Sequence, residues 1–241
     1  MIKAAIDKIL SLAEPHIEEI NGRTYTDKNL SPIDGELRAN HIEMNTLSSL
    51  IDYIHIGVNE RKPDVNYFVQ VVSPTEVRLL SGLDSDRKRE VLATAVAEVP
   101  KFSFGSFIGN EEFLIGVQSK FVDGDNDKAI ILQFAGNVKA GTVAEYGDTG
   151  VGQKAAIKRG VASVQEVEVP SPCRLVPYRT FAEVEQPIGS FIFRVKDNDR
   201  YGVECALFEA DGNKWRIDAQ ATIKEYLRER LDGVENVFVI S

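Results

Sequence analysis

Between Pro170 and Phe193 the sequence reads PSPCRLVPYRTFAEVEQPIGSFIF, a run holding four of the chain's nine prolines. Proline cannot donate to a strand ladder, so prolines sit at sheet edges, corners and turns and not in central strands. The apolar residues between them otherwise read as strand. The segment is therefore an edge, a corner or an exchange segment. It presents charge of both signs, including Arg179, Glu183 and Glu185, together with Gln186 and the aromatics Tyr178, Phe181, Phe191 and Phe193. Aromatic and arginine anchors of this kind suit an interface.

Hydrophobic period assigns the flanking elements. Ile2, Ile6, Ile9, Leu10, Ala13, Ile17 and Ile20 form one helical stripe, interrupted at Pro15. Residues Asn21 to Asn45 read as a linker or a pair of short strands. Thr46 caps a second helix with Leu47, Leu50, Ile51, Ile54 and Val58 on one face. Val65–Ser73, Glu76–Leu80 and Arg89–Val99 read as an antiparallel meander, and Ser106–Phe121 as a third helix weakened by Gly109 and Gly116. From Lys128 to Ala210 the pattern is strand: Ala129–Val138, Thr142–Tyr146, Ala155–Lys158, Ser163–Val169, Arg174–Tyr178, Ser190–Lys196 and Val203–Glu209. A last helix carries Trp215, Ala219, Ile223, Leu227 and Leu231 at four-residue steps and ends at Gly233, and VFVIS can add a final strand. Grouped strands with helices before, between and after them predict an α+β fold. Mainly antiparallel sheet is expected, with about four helices: one N-terminal, two internal and one C-terminal. The division is a helical arm and linker over 1–45 and a core domain over 46–241.

Composition narrows the function classes. A charge of −9 over 241 residues opposes broad contact with a phosphate backbone, so nucleic acid is an unfavourable partner. No apolar run approaches the roughly 20 residues that span a bilayer. Acids interleave the apolar residues of the N-terminus, unlike a secretory leader. Two cysteines, Cys173 and Cys205, are too few for a disulfide framework and read as buried thiols. A reducing cytoplasm is the expected setting.

The motifs that could carry chemistry fail on spacing. Gly147–Lys154 resembles a phosphate loop, but Gln153 separates Gly152 from Lys154, and Ala155 stands where a hydroxyl is needed. Gly150, Gly152 and Ala155 match a dinucleotide fingerprint, yet the following residues break at Gly160. Asp123, Asp125 and Asp127 open like a calcium loop, but Lys128 and Phe134 replace its glycine and glutamate. His16, His41 and His55 have no metal-ligand spacing, and Ser106 is one place early for a nucleophile elbow. Glu183 and Glu185 would share a face in a strand, as an acid and base must, but a charged strip facing solvent or a partner is the reading that prevails. Lys154, Lys158 and Arg159 form a basic cluster beside the glycine loop. This is a candidate anion contact without interleaved aromatics for base stacking, and a partner for Glu166 and Glu168. No cofactor is implied.

The order of parts resembles the uncharacterised phage and prophage proteins typified by the YfdQ-like proteins of bacterial prophages. The resemblance runs from about Thr46 to Leu231 through TLSSLIDYI, NYFVQVV, REVLATAVAEV, NEEFLIGVQSKF and FEADGNKWRIDAQATIKEYLRERL. Its most specific piece is PYRTFAEVEQP followed by FIFR. It implies viral origin, a bacterial cytoplasm and no enzyme activity, and it brings no site residues with it. The leading expectation is a non-enzymatic homo-oligomer assembled through Tyr178, Arg179, Phe181, Glu183, Glu185, Phe191 and Phe193. The alternatives are an anti-defence binder that sequesters a host signal or host protein, and an accessory protein in phage DNA recombination. Light scattering coupled to size exclusion, near neutral pH, checks the assembly. An oligomer at micromolar concentration is expected, and a monomer there contradicts it.

Overall fold

Proline and β-branched residues decide how the chain begins. In the computed structural model, which describes residues 2–13, 15–20, 22–28, 40–57, 64–84, 87–139, 143–148, 153–159, 163–198 and 202–241, helix α1 (Ile2–Ala13) stops two residues before Pro15. Pro15 disfavours helix in the residue before it. Ile17 and Ile20, which the helical stripe includes, instead lie in a strand, β1 (Ile17–Ile20), paired antiparallel with β2 (Arg23–Thr26). His16 N–H donates to Asp27 Oδ1 at 2.8 Å and closes the hairpin base. These elements form one compact unit, Met1–Ala39; the second is Asn40–Ser241. β3 (Ile42–Met44) pairs with a strand of the second unit, so the unit boundary falls before it.

The second unit is α+β, as its grouped strands predict. Helix α2 (Leu47–Ile56) starts where Thr46 Oγ1 accepts from Ser49 N–H at 3.1 Å, and ends where Gly57, at φ +44°, donates to the Tyr53 carbonyl. Val58 lies outside the described residues. β4 (Tyr67–Ser73), β5 (Glu76–Leu80) and β6 (Val91–Val96) form the predicted antiparallel meander. β3 adds in parallel to β6, and the tail β14 (Val237–Ile240) adds in parallel to β4. Tyr67, Val69 and Val71 alternate inward, and their partners Leu79, Val77, Ala93 and Ala95 share that face. Against it pack α2 and α5 (Lys214–Arg230), the latter through Ile223 and Leu227 at the predicted four-residue steps.

The second core lies between helices and a second antiparallel sheet. β7 (Ile108–Gly109) leads into α3 (Asn110–Lys120), followed by α4 (Lys128–Lys139). The sheet runs β11 (Cys173–Leu175), β12 (Gly189–Asn198), β13 (Gly202–Glu209), β7. β8 (Val143–Asp148), β9 (Gln153–Arg159) and β10 (Ser163–Val169) make a separate three-stranded sheet. α4 overturns the strand expected over Ala129–Val138. Its buried residues, Ile131, Phe134, Ala135 and Val138, recur at three, one and three residues, which is a helical and not an alternating face. The strand β11 also stops at Leu175, short of Tyr178. Gly116 of α3 has a packing reason for lacking a side chain: a Cβ there would lie 2.9 Å from Phe102 Cε2.

Leu227 is fully buried and Ile217, on the same helix, is 69% exposed. Leu227→Ala should therefore lower the stability of the chain by about 2–5 kcal/mol in urea unfolding, and Ile217→Ala by no more than about 0.5 kcal/mol.

Candidate functional site

The proline-rich segment folds as a tied loop between β11 and β12, and one glutamine does most of the tying. Gln186 Oε1 accepts from the backbone N–H of Arg179 (2.9 Å) and of Thr180 (3.2 Å). Its Nε2 donates to the carbonyls of Phe181 (2.9 Å) and Val184 (3.3 Å). Thr180 Oγ1, itself buried, donates to the Pro74 carbonyl and pins the loop to the meander. Phe181 and Val184 then enter the first core, and Phe191 and Phe193 enter the second.

This placement corrects the expected interface set. Phe181, Phe191 and Phe193 are 1%, 0% and 2% exposed, so they anchor the molecule's own cores and have no surface left for a partner. Glu183 is used too. Its Oε1 accepts from Ser48 N–H (3.1 Å) and lies 3.4 Å from Ser48 Oγ, supplying an acceptor to the first turn of α2. Glu183 and Glu185 lie in a loop and not in a strand, so the shared strand face expected of an acid–base pair is absent. Tyr178 remains 41% exposed, and Glu185 is exposed.

Arg179 is the residue whose environment stands out. Its side chain is 8% exposed, and Nη1 donates to Glu209 Oε1 at 2.7 Å. The guanidinium lies over the Trp215 ring at 4.0 Å from its centroid and 5.4 Å from that of Phe191. Gly189 makes the room: a Cβ there would lie within van der Waals overlap of Arg179 Nη2. Nε and Nη2 have no hydrogen-bond partner. Burial, opposed by Glu209 and Asp211, pulls the Arg179 guanidinium down to about 10, so it stays charged at neutral pH. A buried cation with one carboxylate and two unmatched donors is under-satisfied.

Arg179 lines a cavity of about 400 Å³ whose wall also includes Lys101, Phe102, Phe104, Lys120, Trp215 and Arg216. Arg216 lies 4.6 Å from the Trp215 centroid, in the first turn of α5, and Lys120 Nζ donates to the Lys101 carbonyl at 2.6 Å. The four cations of this wall face a single carboxylate, Glu209. A larger cavity, about 740 Å³, lies on the other side of Tyr178 and is lined by Asp123, Asp125, Glu185 and Asp218, with Arg174.

The remaining candidates disperse. Register places Lys154 opposite Glu168 and Lys158 opposite Val164 on β9, and residues 149–152 of the glycine loop lie outside the described residues. Asp123 pairs with the buried Lys128 at 2.8 Å, and Asp127 Oδ2 accepts from Arg174 N–H, so the acids of that stretch form a turn between α3 and α4. Among the described residues no group of three potential ligands is placed to hold a metal. Cys173 and Cys205 are free, and burial pushes both thiols up to about 12. No helix among the described residues is long and apolar enough to cross a membrane. No protein-family model, curated protein or solved structure matches the chain.

The arginine pocket is not legible in the sequence because its parts lie on four separated segments. One local signal exists: Pro100-Lys101-Phe102-Ser103-Phe104 interleaves a cation with aromatics, a pattern absent from the sequence around Lys154. Gly189→Ala should destabilise the chain by roughly 1–3 kcal/mol, because the added Cβ would lie 2.8 Å from the buried Phe191 ring and displace the Arg179 guanidinium that is bonded to Glu209; chemical denaturation measures it.

Proposed function

We propose that the protein is a non-catalytic binder whose pocket at Arg179 receives an anionic group. The observation that carries this reading is a buried guanidinium with two unpartnered donors, lining a cavity with three further cations. An anion there adds counter-charge beside Arg179 and offsets the desolvation of its charge. The local excess of positive charge runs against the −9 of the whole chain, which concentrates anion attraction at this one place. Binding without chemistry is supported by the raised thiols and by the helix-capping use of Glu183. Under the prophage resemblance, such a protein acts by sequestering a host signal in the bacterial cytoplasm. The acidity of the chain argues against the recombination alternative.

Self-association is a second reading, carried by the face of the five-stranded sheet opposite α2 and α5. Phe238 there is 50% exposed and pairs with the Phe68 ring at 6.1 Å, on β14, which is an edge strand of this sheet among the described residues.

Thermal unfolding in phosphate or sulfate, against chloride at matched ionic strength, tests the anion site. At about ten times its Kd an anion adds about 1.4 kcal/mol, raising Tm by about 3–6 °C. Exchanging the exposed Lys101 and Arg216 for alanine should abolish the rise. No rise above chloride in the unmodified chain removes the proposal.

A further inference from the structure

The cavity at Arg179 has two chemically different walls. Lys101, Lys120, Arg179 and Arg216 supply charge; Phe102 and Phe104 supply aromatic surface. Both phenylalanines are only half-buried, so each keeps ring surface free within the cavity wall. Both are also braced from behind. Phe102 meets Phe121 edge-on at 5.0 Å and 86°, and Phe104 stacks on Phe191 at 5.3 Å and 20°. Their own centroids are 4.9 Å apart. Rings held in this way lose little freedom when a ligand arrives, which favours binding by stacking. An inorganic anion would leave this wall unused. A single carboxylate would match less of the positive charge than a phosphate dianion does. The volume, about 400 Å³, falls within the range of small-molecule sites. The net charge of −9 opposes a long polyphosphate chain more than a short ligand.

We infer that the pocket takes a free nucleotide, its phosphate held by Arg179, Arg216 and Lys101 and its base laid against Phe102 and Phe104, an inference that rests on the anion-binding reading above. Arg179 supplies a buried positive charge in the wall, and the exposed Lys101 and Arg216 hold the phosphate at the rim. The aromatic wall discriminates a nucleotide from its phosphate alone.

Calorimetric titration of the full chain tests this with AMP, GMP, CMP and UMP, inorganic phosphate, the corresponding nucleosides and a short 5′-phosphorylated oligonucleotide. At least one mononucleotide should bind about tenfold or more tightly than phosphate, the lower range of base–aromatic stacking, and more tightly than its nucleoside. Phe104→Leu should remove that margin and leave phosphate affinity unchanged, and Lys101→Ala should weaken phosphate and nucleotide together. If Phe104→Leu does not fold, the margin measured in the unmodified chain decides alone. Mononucleotides no tighter than phosphate overturn the nucleotide inference and leave the anion site standing. Binding of neither overturns both, and an oligonucleotide tighter than every mononucleotide replaces the free ligand with a nucleic-acid end.

Discussion

A guanidinium removed from water needs counter-charge, acceptors or an aromatic face, and Arg179 draws on elements far apart in sequence to obtain them. Glu209 at the end of β13 gives the carboxylate, Trp215 in the first turn of α5 gives the ring, and Gly189 at the start of β12 gives the space. The loop that carries Arg179 is itself held by Gln186 and Thr180. Displacing any of these moves the others. Because Phe181 belongs to the core under α2 and α5 and Phe191 to the core under α3 and α4, the same segment joins the two halves of the second unit. A proline-rich run suits this task. Its residues cross between cores without having to satisfy a continuous ladder.

The two cavities beside Tyr178 have opposite electrostatic character. Asp123, Asp125, Glu185 and Asp218 line the larger, and four cations with Glu209 line the smaller. An anion approaching this part of the surface is repelled from one opening and drawn to the other. This gives a small basic site selectivity within an acidic chain.

Much of the fold was legible because period and punctuation agreed. The four-residue recurrence from Trp215 to Leu227 and the turn at Asp211–Asn213 located α5, and apolar runs divided by the Ser73–Pro74–Thr75 turn located the meander. Apolar density alone does not distinguish a buried strand from a buried helix. Ala129–Val138 is nearly continuous in apolar residues, and only the spacing of Ile131, Phe134, Ala135 and Val138 separates a helix from a buried strand. The candidate site was less legible for a different reason. Aromatics flanked by prolines and charges look like an exposed interface, yet Phe181, Phe191 and Phe193 are buried, because the loop tied at Thr180 and Gln186 carries Phe181 into the first core and alternation along β12 puts Phe191 and Phe193 on its core face. Pairing Arg179 with Glu209 and Trp215 requires contacts 30 and 36 residues away in sequence, and no local pattern encodes them.

The central claim concerns one buried, under-satisfied guanidinium in a basic cavity wall, so it is best tested at that side chain. Side-chain NMR of arginine-labelled protein, with the Arg179 Nε–H resonance identified by its loss in Arg179→Lys, reports on it directly as phosphate is added. A saturable shift of that resonance, absent with chloride, is the result predicted. A resonance that stays fixed while phosphate is raised to saturating concentration contradicts the account.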